Sequence, residues 1–134
     1  MDFKIDKFEK HSDNRGDLVV FLRNSDIKKP DKEFGQIYFI TFDKKGTIRG
    51  NHYHKYWREW FGIIYGKLEV HLEDVKTGKK KKLIIEGDSK HYLRLEIGPY
   101  MVHTFKSISE KAAVINYANK EWGPNDTFFK ILIK

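Results

Sequence analysis

The chain has 134 residues, 40% of them hydrophobic and 15% aromatic, enough for one domain around one core and too few for a second module. The absence of cysteine excludes a disulfide framework, a thiolate zinc site and a cysteine nucleophile together. Lysine and arginine outnumber the acids 26 to 19, a formal charge of +7 that suits phosphate-bearing partners, from nucleic acids to nucleotide-linked metabolites.

The opening MDFKIDKFEK has no hydrophobic stretch behind its charges, so no signal peptide is expected. No apolar run approaches the ~18–20 residues that cross a bilayer, and the expected setting is the cytoplasm with no membrane partner. Asp13-Asn14-Arg15-Gly16 has the composition of a turn, and residues 17–23 (DLVVFLR) that of a strand. A second strand is expected at Gln36–Phe42, followed by the turn Lys45-Gly46. Residues 60–65 and 67–72 are the next two strands. Thr77-Gly78 then opens a lysine run at 79–82, expected at a solvated hairpin tip where it also discourages edge pairing. No recognition-helix pattern or paired-cysteine finger accompanies the run, so nucleic acid is not an expected partner.

Residues 82–85, 92–97, 113–117 and 128–133 complete the strands, separated by Glu86-Gly87-Asp88, Gly98-Pro99 and Gly123-Pro124-Asn125-Asp126. Leu68, Val70 and Leu72 are expected to face the core and their charged or polar neighbours the solvent, the half-buried signature, and Leu93, Leu95 and Ile97 repeat the pattern against Arg94 and Glu96. Helical periodicity is nowhere sustained. Short strands at a spacing of about 8–12 residues point to an all-β sandwich or barrel. One domain is expected over residues 1–134.

Chemistry concentrates in residues 46–66, GTIRGNHYHKYWREWFGIIYG. His52 and His54 are two apart, so on a strand both imidazoles project from one face. Glu59 can return to the same point at the start of the next strand, and a third imidazole, His103, follows the turn at Gly98-Pro99. Three imidazoles and a carboxylate converging inside a barrel make a site for one divalent metal, with zinc the leading expectation. The competing reading of His52 and His54 is a solvent-facing or core-satisfied pair.

Gly46, His52-Tyr53-His54, Glu59 and Gly66 match the first motif of the cupins at every defined position. Gly98-Pro99-Tyr100-Met101-Val102-His103 stands where the second motif falls, with the histidine kept, Gly98 in the proline slot and Tyr100 in the glycine slot. Within the cupins the chain resembles enzymes that remodel nucleotide-linked 4-keto-6-deoxy sugars. The resemblance rests on Asp13-Asn14-Arg15-Gly16-Asp17-Leu18, on Gln36-Ile37-Tyr38-Phe39-Ile40-Thr41, on Ile48-Arg49-Gly50-Asn51-His52-Tyr53-His54-Lys55, and on Tyr117-Ala118-Asn119-Lys120-Glu121 with Asn125-Asp126-Thr127. It is similar to the dTDP-4-keto-6-deoxyhexose 3,4-ketoisomerases, which are understood to work without metal, and to the zinc-holding C3-epimerase cupin domain of bifunctional capsular-polysaccharide enzymes. The dTDP-4-dehydrorhamnose 3,5-epimerases rank third, because His54 stands where they carry glutamine.

The resemblance implies a single-domain jelly-roll cupin that pairs as a homodimer through its N-terminal strand, here FKIDKF. It implies proton abstraction beside a C4 ketone, in surface-polysaccharide biosynthesis, with no organic cofactor. Histidine suits that step because its ordinary pKa lies near neutrality. On this reading His52, His54 and Tyr38 are the acid/base candidates, and Arg15, Arg49, Lys55 and Asn119 the substrate-binding ones. His52, His54, Glu59 and His103 are the metal ligands if metal is bound. A metal-held nitrogen cannot also act as a base, so the two roles of His52 and His54 exclude each other. Tyr38 also fits a plain core aromatic, and Arg15 a surface turn residue. A metal-dependent cupin of another class, such as an oxygenase, and a non-catalytic sugar-binding cupin are the alternatives.

Overall fold

The computed structural model describes residues 1–87 and 90–134. Its strands are β1 (Phe3–Glu9), β2 (His11–Asp13), β3 (Gly16–Leu18), β4 (Gln36–Phe42), β5 (Ile48–Tyr53) and β6 (Glu59–Tyr65), then β7 (Lys67–Asp74), β8 (Lys80–Glu86), β9 (His91–Ile97), β10 (Met101–Ser107), β11 (Ala112–Ala118) and β12 (Phe128–Phe129). They form one sheet in the order β1-β9-β6-β11-β4, a second in the order β12-β5-β10-β7-β8, and the small hairpin β2-β3. Every pairing is antiparallel. This is the all-β, double-sheet architecture expected of a cupin.

Alternation sets the inner faces. Leu68, Val70 and Leu72 of β7 meet Phe61, Ile63, Leu95, Ile97 and Val114 of the opposite sheet in one apolar core, with Phe42, Met101 and Phe105. Burying a side chain of this size stabilises by about 1.5–3 kcal/mol, so the two sheets hold together without help from the polar end. Along β4, β6 and β11 the inward positions then change character. From Phe42, Ile63 and Val114 they run to Tyr38, Glu59 and Asn116, with Asn116 directly opposite Tyr38 in the ladder. That turns one end of the sandwich polar.

Four expectations need correction. Of residues 17–23 only Asp17 and Leu18 pair, in β3; the segment then leaves the ladder, and the Arg94 guanidinium donates to the Phe21 carbonyl in place of a neighbouring strand. Of residues 128–133 only Phe128 and Phe129 pair in β12, because the backbone groups beyond them bond to the Asn51 side chain. The lysine run is not all hairpin tip, since Lys80, Lys81 and Lys82 lie in β8 at the edge of the second sheet. Arg94 does not face solvent; it is 4% exposed and paired with Asp6 and Asp26. Asp88 of the expected turn Glu86-Gly87-Asp88 lies outside the described residues. Among the described residues no helix is long and apolar enough to cross a membrane.

Candidate active site

The polar end of the sandwich opens into a cavity of about 530 Å³. Tyr38 and Phe61 line it from the first sheet, and Arg49, His52, His103 and Phe105 from the second. Trp122, between β11 and β12, stands at its wall.

His52 reaches this position through a bulge. His52 pairs with His103 but Gly50 pairs with Thr104, so Asn51 is the extra residue. Gly50 (φ 104) and Asn51 (φ 57) both adopt left-handed backbone, and a Cβ at Gly50 would sit 2.4 Å from the His103 carbonyl. Bulges bend a strand and re-aim its side chains. Here the outcome is a T-shaped contact between His52 and His103, ring centroids 4.8 Å apart, with His54 5.0 Å from His52. His54 is buried and stacks on Trp57 at 4.0 Å.

Two of the three imidazoles spend one ring nitrogen on a backbone carbonyl. His54 Nδ1 donates to the Asp126 carbonyl at 2.6 Å and His103 Nδ1 to the Met101 carbonyl at 3.1 Å. A carbonyl oxygen only accepts, so these bonds fix the tautomers of His54 and His103 and leave Nε2 bare on each. Nε2 of His54 and of His103 lie 3.7 and 3.4 Å from the same Glu59 oxygen, Oε2. Two lone pairs facing an ionised carboxylate repel it, so the arrangement calls for a proton or a cation among them.

Electrostatics point the same way. Burial pushes the Glu59 carboxyl up to about 7, against hydrogen bonds from Tyr38 (3.3 Å) and Asn116 (3.5 Å) that favour its charged form. Burial, then the His54 charge, pushes His52 down to about 4; burial also lowers His54, and lowers His103 well below its ordinary value. Burial and the neighbouring Glu59 raise the Tyr38 phenol, which stays protonated. The ligand atoms of His52, His54 and His103 all lie within 4.8 Å of one another, so the three could hold a metal ion. Neutral imidazoles, two of them held through the other ring nitrogen by a backbone carbonyl, are what such a site requires.

The structure thus gathers His52, His54, Glu59, His103, Tyr38 and Arg49 at one end of the sandwich. Tyr38, Arg49, His52 and His103 line the cavity itself, His54 and Glu59 are buried behind it, and the other three candidates do not line it. Arg15 is exposed and forked onto Asp13 in the β2-β3 turn. Lys55 sits 4.3 Å over the Phe128 ring. Asn119 is buried, accepting from the Arg58 amide and donating to Asp31. Sequence reasoning missed Asn116 and Trp122. Asn116 had a signal, a polar residue at an inward position of an otherwise apolar strand (AAVINYA), whereas an exposed tryptophan in a loop offers none.

A family model described as polysaccharide biosynthesis C-terminal domain matches residues 11–128. No curated protein sequence matches the chain. Among solved structures, a 3,4-ketoisomerase from Helicobacter canadensis is 28% identical over 96% of this chain and 90% of its own, with a TM-score of 0.78. The 3,4-ketoisomerase QdtA from Thermoanaerobacterium thermosaccharolyticum, as a variant in complex with TDP-4-keto-6-deoxyglucose, is 21% identical over 94% and 86%, with a TM-score of 0.77. ChmJ, a 3'-monoepimerase from Streptomyces bikiniensis, is 14% identical over 95% and 68%, with a TM-score of 0.82. The last two are likenesses of fold.

Proposed function

Because this chain belongs to the polysaccharide biosynthesis C-terminal domain family, we propose that it is an isomerase or epimerase of a nucleotide-linked sugar, removing the proton beside the C4 ketone of a nucleoside-diphosphate 4-keto-6-deoxy sugar. The observation that carries the reading is a cavity that places a neutral imidazole, His52, and a protonated phenol, Tyr38, on opposite sheets.

On this reading neutral His52 takes the C3 proton on a ring nitrogen, and the C–H electron pair moves into the ring to leave an enolate on the C4 oxygen. The Tyr38 hydroxyl, turned from Glu59 and accepting from its carboxyl once that is protonated, supplies a hydrogen-bond donor for that oxygen and a proton for the return step. Delivery to the opposite face of C3 inverts it. Delivery to C4, with the O3 proton passing to O4, moves the ketone to C3 and leaves a hydroxyl at C4. Glu59, poised at about 7 and hydrogen-bonded to Tyr38, exchanges the proton that Tyr38 gives or takes. Arg49 lines the cavity with no carboxylate paired to it among the described residues, and suits a diphosphate through its planar fork.

A divalent ion, zinc first, would be held by His52, His54 and His103 with Glu59 beside them, and would supply a Lewis acid for the developing oxyanion. With His52 committed to the ion, the proton work falls to Tyr38 and Glu59. The partner is a dTDP- or UDP-linked sugar, the setting the cytoplasm and the assembly a homodimer. β1 pairs with β9 on one side and keeps the other edge open, and β4 presents Ile37 (59% exposed) and Phe39 (75%) at the opposite edge. Sedimentation equilibrium giving a 16.0 kDa species would refute the dimer.

The test is proton NMR of dTDP- and UDP-4-keto-6-deoxy sugars with enzyme in heavy water, with and without chelator. Deuterium is expected at C3 and should be lost when His52 and His54 are both replaced by asparagine. Exchange into none of the panel would overturn the assignment.

A further inference from the structure

Residues 126–133 run alongside the segment that carries His52 and His54. Phe128 and Phe129 pair with Tyr53 and His52. Asp126 caps the far end of that segment: its carbonyl accepts from His54 Nδ1, and its carboxylate accepts from the Lys55 amide at 2.7 Å and the Tyr56 amide at 3.0 Å. The near end is tied by one side chain. Asn51 Nδ2 donates to the Ile133 carbonyl at 2.9 Å, and Oδ1 accepts from the Leu132 amide at 2.8 Å and the Thr104 hydroxyl at 2.9 Å. The Asn51 carbonyl also accepts from the Lys130 amide at 2.8 Å.

Two demands meet at this position. The bulge needs a residue that tolerates φ 57, which asparagine does better than other residues with a Cβ. The tail, lacking a backbone partner beyond Lys130, needs a short group with both a donor and an acceptor. Glycine meets the first demand alone.

We propose that Asn51 is a positioning residue: by pinning residues 130–133 to the β5 bulge it keeps the Asp126 carbonyl on His54 Nδ1, and so holds Nε2 of His54 bare and turned on Glu59. This deepens the reading of the site given above, and its catalytic arm rests on that reading. His103 serves as an internal control. Its Nδ1 partner, Met101, lies in its own strand, so its orientation is independent of the tail.

The test is long-range proton–nitrogen correlation NMR on chelator-treated protein labelled with 15N-histidine, which reads the tautomer of each ring. In the wild type His54 and His103 should both carry their proton on Nδ1. In Asn51→Gly, which keeps the backbone angle accessible and removes the side-chain ties while sparing the Lys130 bond to the residue-51 carbonyl, His54 should shift to a mixture dominated by the Nε2–H form of free histidine while His103 stays unchanged. Leu132→Pro, which deletes one donor and leaves Asn51 in place, should move His54 the same way and decides the matter should Asn51→Gly not fold. In both, kcat should fall roughly 10–100-fold with KM within about twofold, the mark of a lost transition-state arrangement. An unchanged His54 tautomer in a folded variant, or His54 and His103 changing together, would overturn the proposal. A wild type that turns over no 4-keto sugar would strike the functional reading, and the tautomer comparison would then decide the role of Asn51 by itself.

Discussion

His54 and His103 each give one ring N–H to the backbone and turn the other nitrogen on Glu59 Oε2, so the site's charge depends on how many protons it holds. In the unfolded chain all three imidazoles would take protons near 6.5; in the folded one burial holds them lower, His52 at about 4. Below about 6.5 the unfolded state binds more protons, so the histidines' contribution is complete above that value and is lost as pH falls through their lowered values, about 4 for His52. Glu59 works in the opposite sense: raised to about 7, it favours the folded state most below its unfolded value and loses that contribution as pH rises through 7. Three groups outweigh one. Urea midpoints of chelator-treated protein should therefore fall on acidification from about pH 6.5 to about pH 4.5, and fall more steeply in Glu59→Gln. A midpoint that climbs on acidification would contradict this balance.

Much of the cluster was legible at this scale because His52, His54 and Glu59 lie within eight residues of one another and strand geometry brings them together. The carbonyls of Met101 and Asp126 that fix the tautomers of His103 and His54 were not, since every residue carries a carbonyl and only the fold selects one. Arg94 was misjudged for a related reason. A guanidinium is buried only with partners, and Asp6 and Asp26 stand far from it in sequence.

Among the elements, β5 carries the heaviest demand. Gly50→Ala would place a methyl 2.4 Å from the His103 carbonyl at φ 104, and relief of that clash must move β5 or β10. A loss of about 2 kcal/mol or more is expected, a fall of roughly 5–10 °C in melting temperature. Gly123→Ala, at φ −150 with nothing near its Cβ, should stay within about 0.5 kcal/mol of the wild type by the same measurement. Equal losses in the two variants would show that the bulge holds no special constraint. Strands with regular alternation, such as β4 and β7, were legible from pattern alone. β10 was not, because His103, Thr104, Lys106 and Ser107 interrupt its apolar pattern with groups that serve the site and the sheet ladder. The apolar run at 128–133 misled in the opposite direction, the Leu132 amide and the Ile133 carbonyl being held by the Asn51 side chain where a strand would supply a ladder.

At the level of the whole molecule, Tyr38, Glu59 and Asn116 belong to one sheet and His52 and His103 to the other, and the two meet through the apolar core. A metal or sugar nucleotide bound there makes contacts that unfolding must break. At a hundredfold excess over its dissociation constant such a ligand adds about 2.7 kcal/mol. Zinc added to chelator-treated protein should raise the melting temperature by several degrees, and His103→Asn should lose most of the rise; no shift at any zinc concentration would argue against an ion between the histidines.

With its reactive groups divided between two facing layers, the molecule has work for which neither layer is equipped alone. Small changes in the gap between the layers, whether from a bulky core substitution or from pressure, would alter the reach from His52 to Tyr38 while leaving both residues chemically intact. Repacking Phe61 or Phe105, which touch each other across that gap, thus offers a way to tune turnover without touching a single acid or base.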